Sequence, residues 1–125
     1  MTTPKLSKLE LKVMEIMWEI GPASIREIHE QFPEKVRPAY TTVQTIISRL
    51  EAKDAVRREK KIGNAHIFAA TTTRKAAQRR YIDDLLNVFG GRPQLLVSHL
   101  VESGQLSMKD IEEARELLRE LSKEE

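Results

Sequence analysis

The chain has no cysteine. That absence removes disulfides, thiolate metal centres and a cysteine nucleophile together. Aromatic residues make up only 5% of the 125 positions, and no apolar run approaches the roughly 18 residues that a membrane span requires. Met1 to Lys12 carries no apolar core of the signal-peptide kind, so the expected compartment is the cytoplasm, with no membrane insertion. Glycine-rich phosphate loops and nucleophile elbows are missing as well. His29, His66 and His99 fall in different predicted elements without metal-ligand spacing. Asp83 and Asp84 are adjacent, so on a helix they diverge rather than converge on one substrate. Neither an enzyme, a metal site nor a cofactor is expected.

What is abundant is charge, at 32% of residues, yet the net value is only +2. The two signs are unevenly placed. Residues 1–80 hold 16 Lys and Arg against 9 Asp and Glu, a balance of +7, whereas residues 81–125 hold 5 against 10, a balance of −5. A basic first part beside an acidic tail points to a polyanion as partner of the former. Nucleic acid is the commonest such partner, although many basic surfaces bind nothing in particular.

Local signals divide the chain into short elements. Ser7-Lys-Leu-Glu10 has the spacing of a capping box and predicts a helix to about Ile20, stopped by Gly21-Pro22. Leu9, Val13, Ile16, Met17 and Ile20 form one apolar stripe on it, and Leu11, Met14 and Trp18 a second. Two such stripes predict burial on two sides. Ser24 and Glu27 repeat the box and open a short helix to about Gln31, with Ile25, Ile28 and Phe32 inward. A third helix is predicted from about Ala39 to Lys53, followed by strands near 56–60 and 65–70 around the turn Gly63-Asn64. Further helices are expected over about 74–89, from Pro93 to about Glu102, and after Ser107. Three helices and a basic ribbon describe a winged helix-turn-helix domain over 1–72, and the remaining helices a dimerisation domain over 73–125. The fold class is therefore mainly α with a small β-wing. The tail is too short to bury a stable core alone, so its apolar stripes require the winged domain or, the better option, a second chain. Leu85, Leu86, Phe89, Leu96, Leu100, Ile111, Leu117, Leu118 and Leu121 are the residues expected at that interface.

The third helix is the most informative element. Val43, Ile46, Ile47 and Leu50 fall on one face at 100° per residue, and Thr41, Thr45, Ser48 and Ala52 on the opposite one, flanked by Gln44 and Arg49. A solvated face ordinarily carries Glu and Lys, which are good helix formers. Short hydroxyls, an amide and a guanidinium suit the major groove instead, where small polar groups approach base edges. An exposed threonine-rich helix with no partner is the plain alternative.

Leu9-Glu-Leu-Lys-Val-Met-Glu-Ile-Met-Trp18, Ile25-Arg-Glu-Ile-His29 and Tyr40-Thr-Thr-Val-Gln-Thr-Ile-Ile-Ser-Arg-Leu-Glu-Ala-Lys53 resemble the penicillinase-repressor family, which contains regulators of β-lactamase and methicillin-resistance operons and related copper-responsive repressors. The resemblance runs in order through nearly the whole chain. It implies a homodimeric winged-helix repressor that occludes a promoter by binding inverted repeats built on TACA and TGTA in double-stranded operator DNA. It also implies, for penicillin-responsive members, a membrane sensor-protease system that triggers cleavage at an Asn-Phe bond. The matching position here reads His99-Leu100. Copper-responsive members carry C-terminal cysteines, which this chain lacks, and Asp54 stands where the family usually has glycine after the third helix.

Thr41, Gln44, Thr45 and Ser48 are expected to read bases, because glutamine can pair bidentately with adenine and a threonine methyl can pack on thymine. Ser24, Arg26, Tyr40, Thr42, Arg49, Lys60, Lys61 and Asn64 are expected at the DNA backbone. Several have plainer alternatives: Ser24 as a simple N-cap, Tyr40 as a turn closer, Arg49 as the partner of Glu10 or Glu15. Arg57, Arg58 and His66 complete the basic wing, whose alternation allows about half of it to face DNA. Two other functions remain open, a winged-helix protein-interaction module and a DNA-binding activator or architectural factor.

Overall fold

The computed structural model describes residues 3–123. Its elements, in order, are α1 (Lys8–Ile20), α2 (Ile25–Gln31), a short 3-10 turn (Glu34–Val36), α3 (Tyr40–Ala52), β1 (Val56–Ile62), β2 (Ala65–Ala70), α4 (Arg74–Val88), α5 (Pro93–Glu102) and α6 (Met108–Lys123). They group into two compact units, Met1–Ile82 and Asp83–Glu125.

The first unit is built by local rules that the sequence carries. Both capping boxes form: Ser7 Oγ accepts from the Glu10 amide while Glu10 Oε1 accepts from the Ser7 amide, and Ser24 with Glu27 repeats the pattern. These bonds satisfy amides that a helix start leaves without partners. Val13, Met14 and Met17 of α1, Ile28 of α2, and Val43, Ile46, Ile47 and Leu50 of α3 close into one buried cluster with Phe32, Ala55, Val56 and Phe68. On α1 the buried face runs between the two stripes read from sequence. Leu9 and Ile20 are exposed, and Leu11, Ile16 and Trp18 are only partly buried. Trp18 Nε1 donates to the Thr72 carbonyl at 2.7 Å, and Ala77 of α4 is buried, so the start of α4 packs with this unit.

The wing is an antiparallel pair with one irregularity. Arg58 pairs with Phe68 and Lys60 with Ile67, which leaves Glu59 unopposed in a β-bulge. Ala23 adds a bridge to Phe68 through two backbone hydrogen bonds of 2.9 and 3.0 Å, tying the loop before α2 to the sheet. The end of α3 is a Schellman arrangement: the Ala55 amide reaches the Leu50 carbonyl at 2.9 Å and the Asp54 amide reaches Glu51 at 3.0 Å. Asp54 adopts φ 60 to make it.

The second unit holds α5, α6 and the end of α4. None of its described residues is buried. Leu117, Leu118 and Leu121 of α6 and Val97 and Val101 of α5 are exposed apolar side chains. No helix among the described residues is long and apolar enough to cross a membrane.

Candidate nucleic-acid interface

The apolar face of α3 is spent on the core, and that fixes what its other face presents. Thr41, Gln44, Thr45 and Ser48 are all exposed, as is Arg49, whereas Thr42 is half-buried. Thr45 Oγ1 donates to the Thr41 carbonyl at 3.1 Å. Its proton is thus engaged inside the helix, which leaves an acceptor oxygen and a methyl for anything outside. Ala39, at the N-cap of α3, supplies no side-chain acceptor. The first amides of α3 therefore keep their partial positive charge uncapped by any side chain.

Five of the residues predicted from sequence share one cleft. It has a volume of about 520 Å³ and is lined by Ser24, Arg26, Tyr40, Gln44 and Asn64 together with Ile25, Arg58, Ile62, Ala65, His66 and Phe68. Helix α2, the start of α3 and the wing thus converge on a single concave surface. Thr41, Thr42, Thr45, Ser48 and Arg49 lie along α3 outside this lining. Ser24 is buried, and its hydroxyl and amide are both engaged by Glu27. Its observed role is the N-cap. Tyr40 packs edge-on against His29, whose Nε2 lies 3.0 Å from the Pro38 carbonyl oxygen.

On the wing, the bulge decides which cations share a face. Paired residues project to the same side of a sheet. Arg58 therefore accompanies Phe68, and beyond the bulge Lys61 accompanies His66, while Lys60 accompanies Ile67. Lys60 and Lys61 occupy opposite faces. Ile62, 60% exposed, and Asn64 stand at the tip beside them.

Several contacts were not legible in the sequence. Arg37 holds the end of α2, with Nε and Nη2 donating to the Phe32 carbonyl at 3.1 and 2.8 Å and Nη2 donating to the Glu30 carbonyl at 3.0 Å. The partner of Glu10 is Lys53 at 2.6 Å, in place of the Arg49 pairing considered from sequence. Burial raises the Glu10 carboxyl, but the Lys53 ammonium and the Ser7 amide and hydroxyl outweigh it and hold the group below its ordinary value of 4.5. Arg58 Nε lies 3.1 Å from Glu51 Oε2 on α3.

In the second unit, Leu85 and Leu86 lie on α4, Phe89 just beyond it, Leu96 and Leu100 on α5, and Ile111, Leu117, Leu118 and Leu121 on α6. Leu86, Phe89, Leu96 and Leu100 are half-buried, and the other five are exposed. His99 and Leu100 are inside α5, with the His99 ring centred 5.2 Å from that of Phe89.

The family match and the curated relatives point to one group. Residues 6–120 match the penicillinase repressor family. A penicillinase repressor of Staphylococcus aureus is 28% identical over 120 residues, covering 95% of this chain and 94% of its own. The methicillin resistance regulatory protein MecI of Staphylococcus aureus strain N315 is 28% identical over 116 residues, covering 93% and 94%. Among solved structures, the DNA-binding domain of the repressor BlaI superposes with a TM-score of 0.53 at 23% identity, over 61% of this chain and 93% of that one. The Bacillus licheniformis BlaI monomer, solved in complex with the blaP half-operator, gives 0.51 at 23% identity, over 60% and 90%. These two likenesses show the fold, a winged helix, and the match over residues 6–120 shows the lineage: the chain belongs to the penicillinase repressor family.

Proposed function

We propose that this chain is a sequence-specific DNA-binding transcriptional repressor that works in the cytoplasm as a homodimer on a palindromic operator of the TACA/TGTA type. The observation that carries the reading is the exposed face of α3. It offers Thr41, Gln44, Thr45 and Ser48 where a merely solvated helix would carry Glu and Lys, and it adjoins a cleft edged by Arg26, Arg58 and His66. Relatives that match almost end to end are named repressors, and the BlaI structure that shares this fold was solved on a half-operator.

In this reading α3 enters the major groove and its four small polar side chains meet base edges. Arg26, Tyr40, Thr42, Arg49, Lys60, Lys61 and Asn64 take the phosphates, and Ser24 contributes by fixing the start of α2. Dimerisation tethers two such domains, so that the second half-site is met at a high effective concentration. The absence of any buried residue among the described part of 83–125 supports a partner for that unit. Occupancy would then fall with any event that divides the tail, including cleavage at His99-Leu100 by a sensor-protease system. That bond lies inside α5, so α5 must open locally before a protease can take it.

The test is an anisotropy titration of the whole chain against a TACA/TGTA inverted-repeat duplex and a scrambled one at physiological salt. The expected result is selective binding with two protomers per duplex. Equal, weak binding to both would favour an architectural role, and no binding to either would favour a protein-interaction module.

A further inference from the structure

We propose that Arg58 is a positioning residue for DNA binding: it fixes the wing against the end of α3 and leaves phosphate contact to its neighbours. The proposal rests on the DNA-binding reading of α3 and the wing. Composition alone makes Arg58 one more cation in a basic ribbon. Its surroundings assign it differently. Arg58 Nε lies 3.1 Å from Glu51 Oε2, its guanidinium carbon is 5.8 Å from the centre of the Phe68 ring, and Nη1 is 3.4 Å from His66 Nε2. Three partners on α3 and β2 thus engage the guanidinium.

The bulge at Glu59 leaves these contacts alone and decides which lysine joins them on the same face. Before it, Arg58 shares a face with Phe68; after it, Lys60 moves to the Ile67 face, so Arg58 and Lys60 are separated although they are two residues apart. Glu51 sits in the last turn of α3, one residue before its end, where a cation such as Arg58 is also favoured by the helix dipole. The guanidinium therefore links the helix that presents Gln44 to the strand that presents Lys61. It sets the distance between base-reading and phosphate-reading groups.

Glu51→Gln separates this role from direct contact, because the two predict opposite signs. The substitution removes a negative charge near the DNA and no cation, so Coulomb attraction alone predicts equal or tighter operator binding. If Glu51 holds Arg58 and Arg58 holds the wing, binding weakens instead. Side-chain exposures of 54% for Arg58 and 36% for Glu51 make the pair a modest one, so the expected loss is about three- to fivefold per half-site. The slope of log affinity against log salt should also fall by about one, although every cation is retained. A variant that is merely less stable has a smaller active fraction, which stoichiometric titration measures separately, and keeps its slope.

The experiment measures operator affinity and salt slope for the wild-type chain, Glu51→Gln, Arg58→Met and the double variant, each corrected for active fraction. The expected result is a loss for each single variant and little further loss in the double. Unchanged or tighter binding by Glu51→Gln, an unchanged slope, or losses that simply add would each overturn the proposal. If the wild-type chain itself shows no operator selectivity, the DNA-binding reading fails first, independently of Arg58.

Discussion

Replacing Lys53 with methionine tests the electrostatics that join α1 to α3. Glu10 is 3% exposed, and its Oε1 accepts from the Ser7 amide at 2.7 Å and from Lys53 Nζ at 2.6 Å. Its Oε2 has no hydrogen-bond partner among the described residues. Lys53 Nζ also donates to the Lys5 carbonyl at 3.0 Å, which ties the segment before α1 to the end of α3. Methionine keeps most of the aliphatic stem and removes the ammonium. Removing one partner of a fully buried pair costs about 3–5 kcal/mol. Lys53 is 38% exposed, and solvent screening reduces the expected loss to about 1.5–2.5 kcal/mol. Urea denaturation at fixed protein concentration, at pH 7, reads this as a lower midpoint with an unchanged slope. The pH dependence follows from the direction of the Glu10 shift. A carboxyl held below 4.5 in the folded chain contributes stability that is present above that value and is lost as pH falls through the folded pKa. The gap between wild type and Lys53→Met should therefore close on acidification below pH 4.5. A loss under about 0.5 kcal/mol at pH 7, or a gap that widens in acid, would refute the reasoning.

Other expectations follow from the interface and from the backbone. Gln44→Ala should weaken operator binding by about 1–3 kcal/mol per half-site and relax base preference; unchanged selectivity across operator variants would count against base reading. Lys61→Ala should weaken binding to all sequences alike and lower the salt slope by about one, because Lys61 shares a wing face with His66 at the cleft. Lys60→Ala, on the opposite face, should lower the slope less, and the reverse order would place DNA on the other side of the wing. Asp54→Gly should raise stability by about 1 kcal/mol, since glycine adopts the φ of 60 after α3 without strain; a lower unfolding midpoint would show that the aspartate side chain contributes more than its backbone costs.

Much of this fold is written in short-range chemistry. Ser7 with Glu10 and Ser24 with Glu27 are three residues apart, so the helix starts of α1 and α2 are visible in the sequence. The left-handed turn at Asp54 is likewise local, set by where α3 ends. The face of α3 follows from periodicity alone, since Val43, Ile46, Ile47 and Leu50 cannot be buried without turning Thr41, Thr45 and Ser48 outward. What escaped depends on distant partners. Lys53 and Glu10 are 43 residues apart, and nothing in composition favours Lys53 over Arg49 for that carboxylate. The stripes of α1 marked its apolar residues, but the mutual packing of α2, α3 and the wing selected the face centred on Val13, Met14 and Met17. The bulge at Glu59 carries no proline or glycine signal, yet it reverses the alternation of every wing residue beyond it. That reversal brings Lys61 rather than Lys60 onto the face of Arg58 and His66, and the bridge between Ala23 and Phe68 ties the loop before α2 to the same strand.

The most direct test of the central claim is an amide chemical-shift titration of the whole labelled chain with a TACA/TGTA inverted-repeat duplex. The account predicts that the largest changes fall on Thr41, Gln44, Thr45 and Ser48 of α3 and on Lys61 and Asn64 of the wing. The groove of about 590 Å³ lined by Ile16, Ile20, Phe32 and Val36 should stay unchanged. Changes concentrated in that groove, with α3 unaffected, would contradict it.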